Sequence, residues 1–176
     1  MKVLSAFILF IYSFILFPAY GQVNLKVSGK NLVPGETLHY KAKWGFLTIG
    51  SANTYIDKQL FKIGNSVCYK IDINGQTNGI AKLFYVRDKW TSYIDTASIT
   101  SLLSYRSIRE GSYELDESIH FRPSEKKAEV KTYNKKSKTW VLQKVYDTHD
   151  NVRDVVSGFM VFRLADLTRY LSLIHI

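Results

Sequence analysis

The stretch Pro34-Gly35-Glu36-Thr37-Leu38-His39-Tyr40-Lys41-Ala42-Lys43-Trp44-Gly45-Phe46-Leu47-Thr48-Ile49-Gly50-Ser51-Ala52 decides the fold. Leu38, Tyr40, Ala42 and Trp44 alternate with Thr37, His39, Lys41 and Lys43. Strict period two sends one strand face to a core and the other to water. Gly45 starts a turn, and Gly50 and Ala52 are small residues on a second strand. The stretch predicts a β-hairpin whose large aromatics lie over a partner strand nearly stripped of side chains.

Downstream, the same period recurs. The second strand runs from about Thr48 to Asp57, and a loop or loose continuation follows to a turn at Gly64-Asn65. Val67, Tyr69, Ile71 and Ile73 then alternate with polar residues until Asn74-Gly75. Ile80, Leu83 and Phe84 have helical spacing, so Thr77–Phe84 is expected as a short helix. Tyr85 to Asp95 reads as a strand with Val86, Trp90 and Ile94 on one side. Leu102 to Tyr113 carries few apolar residues, as an edge strand or one bulged at Gly111 would. Ser118–Arg122, then Ala128 to Thr132, and then Thr139–Tyr146 are further strands. The charged turn Asn134–Lys138 separates the last two.

After Asp147 the period changes from two to 3.6. Val152, Val155, Val156, Phe159, Met160 and Arg163 fall on one helical stripe, capped by Asp150 or Asn151 and reaching about Leu167. Gly158 costs helix propensity, about 1 kcal/mol relative to Ala. The expected class is therefore mainly β (α+β). Its architecture is a curved antiparallel sheet or partial β-barrel covered by an amphipathic helix.

Residues 1–21 are expected to be an export signal. Lys2 precedes an apolar run, Pro18 breaks it, and Ala19-Tyr20-Gly21 fits a cleavage site. The run is short for a membrane span, so none is expected after cleavage. Residues 171–176 carry no turn, cap or amphipathic pattern and read as a translated sequencing adaptor, hence a non-native tail. Residues 22–170 then form a single β-rich domain, incomplete at its C-terminus. Export and the absence of a recognised motif argue against nucleic acid as the partner of this +9 chain. Anionic lipid head groups or polysaccharide fit its charge better. The single cysteine, Cys68, excludes an internal disulfide and sits at a structural strand position.

No catalytic constellation stands out. His39, His120 and His149 share no ligand spacing, so neither a metal nor a cofactor is expected. Ser157, Asp154 and His149 are the residue types of a triad. However, Ser157 lies in no G-x-S-x-G turn, and Asp154 reads as a helix-start partner. Glu36 and Asp88 could pair as acids across a cleft, as a glycosidase requires, but nothing in the sequence brings them together. Tyr40, Trp44, Tyr69 and Trp90 are either ordinary sheet core or the lining of an apolar pocket. Lys126, Lys127, Lys135, Lys136 and Lys138 read as solvated hairpin residues.

The chain resembles the domain-of-unknown-function family 3108, a set of exported bacterial envelope proteins. The resemblance rests on Gly35-Glu36-x-Leu38-x-Tyr40, Trp44-Gly45 and Gly50-x-Ala52. It continues through Arg87-Asp88, Ser92-Tyr93-Ile94-Asp95, Glu110-Gly111, and Asp154-Val155-Val156-Ser157 with Arg163. It covers residues 33 to 167 and implies further strands beyond the helix. It also implies a likeness to lipoprotein carriers, in which a half-closed sheet with a helix over its mouth holds an apolar guest. The family carries no catalytic residues to transfer. Matched positions suggest that Arg163 docks the helix by pairing with an acid such as Asp88 or Asp95. The expected role is non-catalytic binding of an apolar or lipid-like envelope ligand in the periplasm or another exported location. An envelope scaffold acting through protein contacts is the alternative, and a hydrolase comes third.

Overall fold

The computed structural model describes residues 32–78 and 85–165. The expected export signal and C-terminal tail lie outside these residues, as does most of the short helix expected over Thr77–Phe84.

Eight strands form one antiparallel sheet in chain order: β1 (Thr37–Trp44), β2 (Leu47–Ile63), β3 (Ser66–Thr77), β4 (Arg87–Asp95), β5 (Ser101–Glu110), β6 (Tyr113–Arg122), β7 (Lys127–Asn134) and β8 (Thr139–Asp147). Among the described residues the sheet is open, with β1 and β8 at its edges. One helix follows, α1 (Val155–Leu164). Gly64 and Gly111 stand first in two-residue hairpin loops with φ of +58° and +59°. That sign of φ is what such loops require and what residues with a Cβ resist.

Several expectations need correction. Of the two alternatives for the segment after Asp57, the structure takes the loose continuation of the strand and not the loop. β2 runs on to Ile63, with the register against β3 shifting between Ile56 and Leu60. Gly111 makes a turn, and β5 is an interior strand. β5 is poor in apolar residues because Ser101 and Ser104 pack in the interior as small buried side chains. The opening hairpin is half right. Tyr40 lies opposite Ala52 and Ala42 opposite Gly50. Beyond a register shift at Ala42/Lys43, Trp44 pairs with Leu47 and is 77% exposed.

The core lies on one face of β2, β3 and β4. Ile56, Ile71 and Ile94 meet Leu32, Ile99 and the helix residues Val156, Met160 and Val161. Burying each of those helix side chains contributes roughly 1.5–3 kcal/mol. The buried stripe is rotated from the one expected, leaving Val155 at 69% exposure. Asn151 adopts a left-handed backbone (φ +58°), and Asp154 begins the helix instead.

Two fastenings hold α1. At its start, Asp154 accepts from the Ser157 N–H at 2.8 Å, and the Ser157 hydroxyl accepts from the Asp154 N–H at 2.9 Å. That reciprocal pair is a capping box. The Ser101 hydroxyl of β5 joins it, 2.8 Å from Asp154 Oδ1 and 2.7 Å from Ser157 Oγ. At the other end, Arg163 grips Glu36 with two parallel hydrogen bonds of 2.6 Å. This corrects the expected partner. Asp88 is buried and accepts instead from the Arg109 backbone N–H at 2.9 Å. Asp95 binds Ala97 and Ser98 in its own turn.

Candidate functional site

Strand alternation gives the sheet a second face, opposite the core, and this face is built from the other residues of each strand. The ladder sets His39 beside Asn53, Asn53 beside Asn74, and Asn74 beside Lys89. Lys89 then lies beside Ser107, and Ser107 beside Asp116. Residues from six consecutive strands thus form one transverse row, spaced by the interstrand distance of about 4.8 Å. Tyr133 and Trp140, paired across β7 and β8, continue the row.

Two adjoining clefts open on this face and share Lys89 and Ser107. The first, of about 450 Å³, is lined by amides, hydroxyls and charges that include Asn53, Asn74, Gln76, Arg87 and Arg109. The second, of about 460 Å³, is walled by Tyr105, Tyr133 and Trp140. The Trp140 ring lies 5.4 Å from Tyr133 and 6.1 Å from Tyr105, both tilted at 59°. These separations are within the range of favourable aromatic pairs.

The charges in the clefts are largely engaged with one another. Arg109 binds both oxygens of Asp116 at 2.8 Å and donates to the Ile108 and Leu115 carbonyls. Arg106 donates to Glu117 at 3.0 Å. Lys89 lies 3.8 Å from Asp72, whose carboxylate also takes the Thr91 hydroxyl. Burial pushes the Asp116 carboxyl up, but hydrogen bonds from Ser107 and Arg109, with the Arg109 charge, outweigh it. The group is held below its ordinary value and stays ionised. By contrast, the side-chain amides of Asn53 and Asn74 have no partner among the described residues, so their donors and acceptors are free for a ligand.

The four aromatics singled out from the sequence are elsewhere. Tyr40 makes an edge-on contact with Phe159 of α1 at 5.9 Å. Tyr69 and Trp90 pack against the core. Trp44 projects from the sheet edge, and none of the four lines either cleft. Of the two residues expected to pair, Asp88 borders the first cleft, while Arg163 is at the helix end on Glu36.

Groups with chemical potential elsewhere are committed to structure. Asp154 and Ser157 are the helix cap. Cys68 is fully buried, and burial, with the Asp95 charge nearby, raises its thiol above the ordinary value, away from the reactive thiolate. Among the described residues, no three His, Cys, Asp or Glu side chains converge as a metal site would need. No described helix is long and apolar enough to cross a membrane.

The cleft residues Asn53, Asn74, Tyr105 and Tyr133 were not singled out from the sequence, and Trp140 was noted only as a strand aromatic. Each is an unremarkable alternate position within its own strand. Only the cross-strand register turns them into a row, so the available signal was pairing, which periodicity alone does not supply.

A family model described as "Protein of unknown function (DUF3108)" matches residues 39–171. No curated protein and no solved structure matches the chain.

Proposed function

The chain belongs to the DUF3108 family, and on that premise we propose that it is an exported, non-catalytic binding module of the bacterial envelope. Its ligand is apolar or lipid-like in part, held on the open sheet face with its apolar portion against Tyr105, Tyr133 and Trp140. The observation that carries this reading is the joining of an aromatic-walled cleft to a polar one through Lys89 and Ser107. An amphiphile is the ligand class that satisfies both halves at once.

Curvature supports the same reading. In a flat sheet, β5 and β8 stand about 14 Å apart at roughly 4.8 Å per strand. The Tyr105 and Trp140 rings meet at 6.1 Å, as they would on a sheet curled toward its open face into a partial barrel. On the opposite face α1 serves as the cover, its Val156, Met160 and Val161 buried in the core. The export signal expected in residues 1–21 supports a periplasmic or otherwise exported location.

The test is native mass spectrometry of the full-length protein purified from envelope, beside Trp140→Ala and Tyr105→Ala. We expect a bound amphiphile on the wild type and its loss from both variants, with melting temperatures little changed. A wild-type protein that carries no ligand would overturn the proposal.

A second reading, an envelope scaffold, is favoured by the edge strand β8. Every residue of β8 is exposed, including Trp140, Val141, Leu142, Val145 and Tyr146. Open apolar edges are natural sites for strand addition by another chain. Cross-linking in cells that captures a stable protein partner at β8, with no small ligand bound, would favour it.

A further inference from the structure

We infer that the polar half of the cleft recognises the hydroxyl groups of a neutral sugar, which makes the ligand a glycolipid-type amphiphile. This deepens the proposed function and rests on it.

Two observations point to sugar hydroxyls over an anionic head group. The first is charge balance. Arg106 is matched by Glu117, Arg109 by Asp116, and Lys89 by Asp72. The remaining guanidinium, Arg87, is exposed at the first cleft, and strand alternation turns it away from its neighbour Asp88, whose carboxylate accepts from the Arg109 N–H. Three cations thus meet three carboxylates, and Arg87, without a charged partner among the described residues, stands exposed to solvent, where salt screens its pull on a phosphate. Arg109 in particular spends its donors on Asp116 and two backbone carbonyls, so it cannot also clamp an anion bidentately.

The second observation is the kind of group left unspent. Asn53 and Asn74 face each other across β2 and β3 in the first cleft. Each amide offers two donors and an acceptor. Vicinal hydroxyls, each both donor and acceptor, are complementary to such a pair. Phosphate oxygens accept only and would leave the amide carbonyls unmatched. The paired charges then act as a fixed polar frame, and the neighbouring rings of Tyr133 and Trp140 give an apolar surface for the sugar's C–H face or the attached chain.

The experiment titrates the full chain, stripped of co-purified material, with two probes sharing one tail, octyl glucoside and octyl phosphate. Both are kept below their micelle concentrations and followed by calorimetry. We expect the glucoside to bind about tenfold more tightly, the scale of one or two well-made hydrogen bonds. We also expect its affinity to stay constant between roughly 50 and 500 mM salt, where attraction between exposed charges would weaken. The double variant Asn53→Ala/Asn74→Ala should lose the glucoside advantage, its affinity for octyl glucoside falling about tenfold toward that for octyl phosphate. Thermal melting confirms that it is folded, and the single variants serve if the double is not. Equal or tighter binding of the phosphate, or glucoside binding unchanged by the variants, overturns the sugar assignment and leaves the amphiphile reading standing. Binding of neither probe counts against both.

Discussion

Removing the Arg163–Glu36 clasp should destabilise the protein in a way that a double-mutant cycle can assign to that pair. The perturbation is Arg163→Met, Glu36→Gln and the two together. Hydrogen bonds to charged groups contribute about 1.5–3 kcal/mol when shielded, whereas fully exposed ion pairs contribute about 0–1. Here the two side chains are 26% and 23% exposed and make two parallel bonds of 2.6 Å. That intermediate exposure places the coupling at about 1–2 kcal/mol, with each single variant costing about 2 kcal/mol. At roughly 2–4 °C per kcal/mol for a chain of this size, each single variant should melt about 4–8 °C lower. The assay is urea and thermal unfolding followed by circular dichroism. A parallel cycle of Arg163→Met with Asp88→Asn should show no coupling beyond about 0.5 kcal/mol, the usual additivity error. The reasoning fails if the Glu36 cycle falls within that error, or if Asp88 couples to Arg163 more strongly than Glu36 does.

Two further outcomes follow from the same geometry. Ser101→Ala withdraws the β5 hydroxyl from Asp154 and Ser157, leaving buried polar groups short of a partner. We expect a loss of about 1–3 kcal/mol in denaturant unfolding, and an unchanged midpoint would refute the role given to Ser101. The Asp116 carboxyl lies below its ordinary 3.8 in the folded protein, so the unfolded chain binds more protons between the two values. Its stabilising contribution is therefore complete above that ordinary value and is lost as pH falls through the lower, folded one. Asp116→Asn should flatten this acid limb of the stability curve, and an acid limb identical to that of wild type would refute the assignment.

Different parts of the molecule were legible in the sequence to different depths. Val67, Tyr69, Ile71 and Ile73 announce β3 because side-chain alternation is a property of the strand alone. The late helix is equally plain, but its buried stripe was misread. Asp150, Asn151 and Asp154 are all residue types that cap helices, and the structure uses Asp154, with Asn151 in a left-handed backbone ahead of it. The partner of Arg163 was misread for a related reason. Glu36 lies 127 residues away in sequence, and only the packing of α1 across β3 and β4 brings the two together. The aromatic-rich face was legible as a sheet face. Whether rings fill a core or wall a cleft depends on which face the helix takes, and α1 takes the face of Trp90, leaving that of Tyr105 and Trp140 open.

The strictly sequential order of the strands also orders the folding reaction. Each strand of the sheet meets the one before it after two to five residues, except β4, which follows β3 after nine. The Arg163–Glu36 contact must instead close 127 residues. With closure entropy growing as (3/2)RT ln n, that costs about 2 kcal/mol more than a ten-residue turn. The sheet should accordingly zip from its local turns, with the helix arriving afterwards to latch onto Glu36 at the start of β1. Substitutions at the latch would then speed unfolding while leaving the folding rate nearly unchanged.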